Sequence, residues 1–483
     1  MSDPRSVSWS PVHLPSYVAG EAVTTGRTLE VRYPWDDSLT GTAALIGPEH
    51  LEQAIAKALT FPNDSLTRRD RHDILRRAAG ILAERRDEFA ALITRETGLA
   101  IREANYETTR SSDVLEFAAM EALRDDGRIF SCDISPNGKP RKVFTSRYPV
   151  RLVAAITPFN HPLNQVIHKL APAIAAGAPV LLKPSDRTPL TALKLAEVLY
   201  EAGLPGPMLS LFVGGIDDIV TPMITDERVE IVTFTGSVEI GKSIARTCGY
   251  KRLCLELGGN SPLIILNDAD LELAAKLAAE GSFRNSGQRC TAVKRILVQE
   301  GILAEFTERF VKLVREEYPC GDPEDPATVV GTVIHAPAAV ELQRRVEASV
   351  AMGAKLLLGG GRRGALLEPA IIANVPRDAE MVALESFGPL APIIPIRDLD
   401  DAIAYYNSGN FGLSGGIVTN DLSLALKACK ELRAGTTNVN EVPGYRLELT
   451  PFGGTRDSGL GVKEGVIEAI KFFTHQKTWS LPW

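Results

Sequence analysis

The chain has 483 residues, which at roughly 100–200 residues per domain corresponds to about three structural units and excludes a single small domain. With 45% hydrophobic, 23% charged and 6% aromatic residues, it has the composition of a globular protein with a large core, and collagen-like, coiled-coil and mostly disordered classes fall away. Lys and Arg number 53 against 60 Asp and Glu, and the net charge of −7 argues against a nucleic-acid partner, which needs a basic face.

Residues 1–20 open on the polar Met1-Ser2-Asp3-Pro4-Arg5 and contain no apolar segment of the secretory type. The longest fully apolar run, Leu170 to Leu182, carries Pro172 and Pro179 and falls short of the ~20 residues a membrane helix requires. No membrane partner and a cytoplasmic location are therefore expected. Residues 49–59, 68–86 and 87–98 show apolar residues at spacings of three and four with charges between them, which predicts a mainly helical segment through residue 126. Over 127–147 the pattern changes to short polar–apolar alternation, and 471–483 matches it. Both are read as strands of a small sheet that pairs between subunits, the alternative being a local hairpin and a loose tail.

Beyond Val150, apolar runs alternate with helical stretches. Strands are expected at 151–156, 179–183, 209–213 and 231–234, each followed by a helix, at 162–176, 190–202, 216–224 and 236–247. Four such repeats signal a buried parallel sheet covered on both faces, a Rossmann-like α/β layout. A second α/β set runs through 262–266, 295–298, 355–358, 390–396, 415–418 and 435–439. The six cysteines, Cys132, Cys248, Cys254, Cys290, Cys320 and Cys429, form no C-x-x-C pair and no Cys/His group at zinc spacing, so neither a metal centre nor a disulfide framework is expected. In a reducing compartment one of them is open to a nucleophilic role.

Several strand ends carry residues suited to chemistry. Phe234-Thr235-Gly236-Ser237 leads toward Gly241 and opens a helix, so backbone N–H groups there are free to approach a phosphate; an ordinary strand–helix turn is the alternative. Lys183-Pro184-Ser185-Asp186 follows a strand, where Lys183 and Asp186 reach a ribose, or where Ser185 or Asp186 merely caps a helix. Glu256 stands beside Gly258 and Gly259, and Cys290 sits in the polar turn Asn285-Ser286-Gly287-Gln288-Arg289-Cys290-Thr291. Singly, Glu256 reads as a surface charge and Cys290 as a small hydrophobe; together they suggest a general base and a thiolate facing one cleft. Thr157-Pro158-Phe159-Asn160 offers Asn160 as an amide donor to an oxyanion.

These motifs, with Glu385-Ser386-Phe387-Gly388-Pro389, Pro451-Phe452-Gly453-Gly454 and Ser458-Gly459, resemble the aldehyde dehydrogenase superfamily, in order and from about residue 20 to the end. The resemblance implies a Rossmann-type NAD-binding domain (1–126 and 148–257), an α/β catalytic domain (258–437), and oligomerisation or bridging segments (127–147 and 438–483) of a homodimer or homotetramer. It implies that Cys290 attacks the aldehyde, that Asn160 and the Cys290 N–H hold the oxyanion, and that Glu256 activates water to hydrolyse a thioester. Thr157, Pro158, Phe159, Lys183, Ser185, Asp186, Phe234, Gly236, Ser237, Leu257, Gly258, Glu385 and Phe387 would bind the cofactor. A carboxylate at Asp186 favours NAD over NADP. Val238 stands where the family commonly has Thr.

Arg110, His161, Arg289, Thr291 and Arg446 fall in regions that line the family's substrate tunnel. Singly, an arginine is a solvated charge; three with a histidine converging would bind a dianion, because guanidinium forks match phosphate or phosphonate oxygens. The set is most similar to the branch that oxidises phosphonoacetaldehyde to phosphonoacetate. It is less similar to the non-phosphorylating glyceraldehyde-3-phosphate branch, which shares the run 287–295, and another short anionic aldehyde remains an alternative. A non-catalytic binding protein of the same fold is the alternative of a different class.

Overall fold

A computed structural model describes residues 9–62 and 64–483. Two seven-stranded sheets organise the chain. The first runs in the order Arg252–Glu256, Ile231–Thr235, Val153–Ile156, Val180–Lys183, Leu209–Leu211, Ser16–Val18, Glu21–Val23, the first five parallel and the last two antiparallel. Alternate side chains of these strands feed two cores. Val153, Ala155, Val180 and Leu182 pack with the helices Arg68–Glu84, Ile101–Ala122, Asn164–Ala176 and Pro189–Glu201, while Ala154, Ile156 and Leu181 pack with Pro48–Thr60 and Val238–Thr247. Burial on both faces explains why these strands read as unbroken apolar runs.

The chain leaves Val153–Ile156 toward opposite sides of the sheet, so Val153–Ile156 and Ile231–Thr235 border a crevice at their carboxyl ends. That switch point is where doubly wound sheets bind ligands. Two buried carboxylates fix helix starts on this sheet. Glu107 accepts the backbone N–H groups of Leu163 and Asn164, both at 2.9 Å, and Glu96 accepts those of Leu190 at 2.6 Å and Thr191 at 2.9 Å.

The second sheet runs Lys355–Leu358, Ala370–Ala373, Leu390–Ile396, Val293–Gln299, Ser261–Ile265, Ser414–Val418, Thr436–Val439, with only the first antiparallel to its neighbour. The helical segment ahead of residue 126 holds a 22-residue helix, Ile101–Ala122, after the three expected from periodicity. Ahead of residue 48, the short strands Val12–Leu14, Leu39–Ala44 and Thr28–Arg32 make a separate three-stranded sheet.

The two alternating segments do not stay apart. Thr474–Pro482 pairs antiparallel along the whole of Arg141–Pro149, which also pairs with Ile129–Ser131, and Trp479 stacks on Phe144 at 4.6 Å between ring centroids. Neither a lone hairpin nor a loose tail describes them, and the strand passes residue 147 to end at Pro149. Removing residues 474–483 would expose the paired edge of Arg141–Pro149, and an unpaired edge of this length templates association. The truncated protein is expected to melt earlier and to scatter light as aggregates in a thermal ramp monitored by scattering.

Candidate active site

The helix Leu271–Phe283 ends in a loop whose next residues are conformationally costly: Asn285, Ser286 and Gly287 all have positive φ, at 58°, 51° and 69°. Non-glycine residues in this region cost of order 1–2 kcal/mol each. Side-chain amides hold the loop in place. Asn285 Nδ2 donates to the Asn160 carbonyl at 3.0 Å, Asn160 Nδ2 donates to the Gln288 carbonyl at 2.8 Å, and Gln288 Oε1 accepts the Ile334 N–H at 2.9 Å. At Gly287 a Cβ would collide with the Gly388 carbonyl. The loop delivers Cys290 to the wall shared by two cavities.

One cavity, about 340 Å³, is lined by Pro158, Phe159, Asn160, Gly236, Ser237, Leu257, Gly258, Cys290, Glu385 and Phe387. It lies at the switch point. Ser237 caps the helix Val238–Thr247 by accepting the Ile240 N–H at 3.4 Å, so that helix's positive end faces the same crevice. Gly241 allows Leu257 to press against the helix, the close strand–helix packing a dinucleotide site needs. Phe159 and Phe387 meet edge to face at 5.8 Å. Glu385 Oε1 accepts the Gly259 N–H at 3.0 Å. An apolar cleft with helix N–H donors and a carboxylate suits a dinucleotide carrying phosphates and ribose hydroxyls.

Five of the cofactor residues named from sequence lie off this cavity: Thr157, Lys183, Ser185, Asp186 and Phe234. Thr157 is buried and donates its N–H to the Lys183 carbonyl at 3.3 Å; Lys183 forms an ion pair with the half-exposed Asp186 at the next strand end. Ser185 Oγ accepts the Arg187 N–H at 3.2 Å in a local turn, and Thr188, not Ser185 or Asp186, is the first residue of the following helix cap. Phe234 lies in the core beneath Gly236.

The second cavity, about 50 Å³, is lined by Arg110, Asn160, His161, Arg289, Cys290, Thr291 and Arg446. All five substrate residues named from sequence come together there. Arg110 Nε donates to Glu448 Oε1 at 2.7 Å, Arg446 Nη2 lies 3.2 Å from Glu448 Oε2, and His168 Nε2 is 2.8 Å from the same oxygen. Despite its burial, Glu448 is held well below the usual carboxylate range by Arg446, His168 and Arg110. Arg289 has no carboxylate partner among the described residues; it donates to the carbonyls of Glu280 and Gly281 at 2.9 and 3.0 Å, and burial lowers it to about 10. Burial and then Arg110, Arg289 and Arg446 drive His161 well below its ordinary value, so it is a neutral imidazole.

Glu256 ends its strand against Gly453 and lines neither cavity. Its carboxyl is buried with no hydrogen-bond partner among the described residues, and burial, then the nearby Glu464, raises its pKa well above the usual value against the pull of Lys169. Lys169 and Glu464 form a buried ion pair behind it. Glu448, His168, Lys169 and Glu464 were not identified from sequence, and no local motif marks them.

The chain belongs to the aldehyde dehydrogenase family: the model of the Aldehyde dehydrogenase family matches residues 21–479. Its members are oxidoreductases that use a nicotinamide cofactor. A 3-sulfolactaldehyde dehydrogenase from Priestia megaterium is 38% identical over 461 residues, covering 95% of this chain and 96% of that one. The structure of aldehyde dehydrogenase 21 from Physcomitrella patens, in complex with the reaction product succinate, superposes with a TM-score of 0.95 at 33% identity, covering 98% of each chain. A glyceraldehyde-3-phosphate dehydrogenase from Methanocaldococcus jannaschii complexed with NADP gives a TM-score of 0.89 at 34% identity, covering 95% of this chain and 100% of that one.

Burial, reinforced by Glu385 and Glu256, pushes the Cys290 thiol up to about 12. Only the thiolate alkylates, so its fraction rises tenfold per pH unit below that value. The rate of iodoacetamide labelling at Cys290 is therefore expected to climb about tenfold per unit from pH 7 to pH 9 without a plateau, as followed by mass spectrometry.

Proposed function

We propose that this enzyme is an NAD-dependent dehydrogenase that oxidises phosphonoacetaldehyde to phosphonoacetate. The observation that carries the reading is the cavity beside Cys290: three arginines and a neutral histidine line it, no carboxylate among the described residues does, and two of those arginines share Glu448. Such a surplus of guanidinium charge suits a dianion. The same three arginines and His161 also line an adjoining space of about 180 Å³, which gives the anionic end of a short aldehyde room beyond the thiol.

In this reading Cys290 gives up its proton to water and the thiolate Sγ attacks the carbonyl carbon, the carbonyl π pair moving onto the oxygen. Asn160 spends one Nδ2–H on Gln288 and has the other for the oxyanion of the thiohemiacetal, together with the Cys290 N–H. Glu385, Phe387 and the Ser237 helix end would hold a nicotinamide dinucleotide, which when bound would supply the hydride acceptor. What remains on Cys290 is a thioester. Glu256, swung out from beside Gly453, takes a proton from water, whose oxygen attacks the thioester carbonyl; the C–S bond breaks, and the acid and the Cys290 thiolate are released. A carboxyl of raised proton affinity suits that step. Asp186 accepts the adenosine ribose hydroxyl and repels a 2′-phosphate, which is the basis for NAD. The domain assignment from sequence is retained, with the sheet built on Arg141–Pro149 bridging subunits of a dimer or tetramer; Trp479, Leu481, Ile129 and Phe130 are exposed on it.

A second reading has a specific observation behind it: the relative at 38% identity is a 3-sulfolactaldehyde dehydrogenase, so a sulfonate is the competing anion. Reduced-cofactor absorbance with phosphonoacetaldehyde, 3-sulfolactaldehyde, glyceraldehyde 3-phosphate, succinate semialdehyde and propanal separates these, with NAD and then NADP. Phosphonoacetaldehyde with NAD is expected to lead by at least about tenfold in kcat/KM, or ~1.4 kcal/mol. Arg446→Ala should cost about 2–3 kcal/mol for that substrate, tens to a hundredfold, and leave propanal nearly unchanged. Equal use of 3-sulfolactaldehyde would transfer the assignment to the sulfonate.

Because Glu256 must be ionised to act as a base and its pKa is raised, the acid limb of kcat should lie above the ordinary carboxylate range. Glu256→Gln is expected to give a single burst of reduced cofactor with little turnover. A full steady-state rate in that variant would remove Glu256 from the mechanism.

A further inference from the structure

Lys294 is a buried cation that the mechanism above does not use. It lies on the strand Val293–Gln299, four residues after the nucleophile, and is 2% exposed. It forms no ion pair among the described residues. Its Nζ donates to the Gly287 carbonyl at 2.9 Å and to the Ser386 carbonyl at 2.6 Å, and stands 5.0 Å from the centre of the Phe387 ring. The first acceptor belongs to the strained loop that presents Cys290; the second lies between Glu385 and Phe387, which line the cofactor cavity. On its far side the second loop is held by Arg345, whose Nη1 donates to the Glu385 carbonyl at 2.9 Å.

A buried ammonium persists only where its donors meet acceptors, and two carbonyls from different loops plus an aromatic face meet that need here. Neutral side chains can support one loop or the other; an ammonium with three divergent donors draws carbonyls of both toward one point. The titratable groups around it are Glu385, the Cys290 thiol, Arg289 and Arg345. Burial lowers its pKa to about 8, with Glu385 and Cys290 opposing the shift, so it carries charge at neutral pH.

We propose that Lys294 is a positioning residue that sets the distance between the loop carrying Cys290 and the loop carrying Glu385 and Phe387, and thereby the geometry of hydride transfer. The proposal rests on the reading of Cys290 as nucleophile. Hydride transfer needs both loops in register, since misplacement by about 1 Å costs on the order of a hundredfold. Hydrolysis of an activated ester needs only the first: Cys290 displaces p-nitrophenolate from p-nitrophenyl acetate, and water then releases acetate, with no cofactor present.

The test compares the two rates in the full-length enzyme, in Lys294→Met and in Lys294→Gln. Dehydrogenase kcat is expected to fall at least fivefold more than ester hydrolysis in each variant that folds, with melting temperature checked for each. A smaller difference between the two losses overturns the proposal, because a side chain that only supports the fold or the nucleophile loop would lower both together. Should the Met variant not fold, the ratio in the Gln variant decides. Blocking the native enzyme with iodoacetamide keeps the two readings separate: if ester hydrolysis survives alkylation, Cys290 is not the nucleophile, whatever Lys294 does.

Discussion

The reciprocal amide bonds between Asn160 and the loop 285–288 are the constraint on which the site depends. Asn160 belongs to the first sheet and Cys290 to the approach to the second, and nothing in the backbone ladders connects them. Two hydrogen bonds, at 2.8 and 3.0 Å, join the donor proposed for the oxyanion to the loop that carries the thiol. The same bonds offset the cost of the two left-handed non-glycine residues, Asn285 and Ser286. A loop under such strain keeps one shape only while its surroundings over-determine it, and here carbonyls, amides and a buried lysine do so.

Around that junction some charges are compensated by carboxylates and others by carbonyls. Glu448 gathers Arg110, Arg446 and His168, and Lys169 pairs with Glu464, while Lys294 and Arg289 donate to backbone carbonyls. Buried ions are tolerated when their partners are in place, and losing one partner is more damaging than never having had the pair. The arrangement therefore couples residues far apart in sequence. His168 and Lys169 are neighbours on one helix, yet one serves the arginine cavity and the other the ion pair behind Glu256.

Much of the fold was legible because buried parallel strands write themselves as short apolar runs, and Val180–Lys183 or Ile231–Thr235 differ from expectation by a residue at most. The short half-exposed strands before residue 48 carry no such signature. Residues fixed by local backbone demands, such as Gly236, Gly241 and Gly287, and those in contiguous motifs, such as Asn160 and Cys290, were also legible. Glu448, Lys169, Glu464 and Lys294 were not, since each is a single charge whose meaning arises only from partners brought in by the fold. Nor does any sequence pattern indicate that Glu256 rests against Gly453, because a rotamer is chosen by the cavity around it.

Glu448 also bears on what kind of recognition is possible. Because Arg110 and Arg446 are tethered to it, with Arg446 lying over the Phe452 ring at 4.0 Å, neither guanidinium is free to follow a ligand that stops short or overshoots. Tethered in this way, the two cations stay in place whether or not an anion is bound, so the preorganisation of this wall depends on the Glu448 cluster with Arg110, Arg446 and His168 remaining intact.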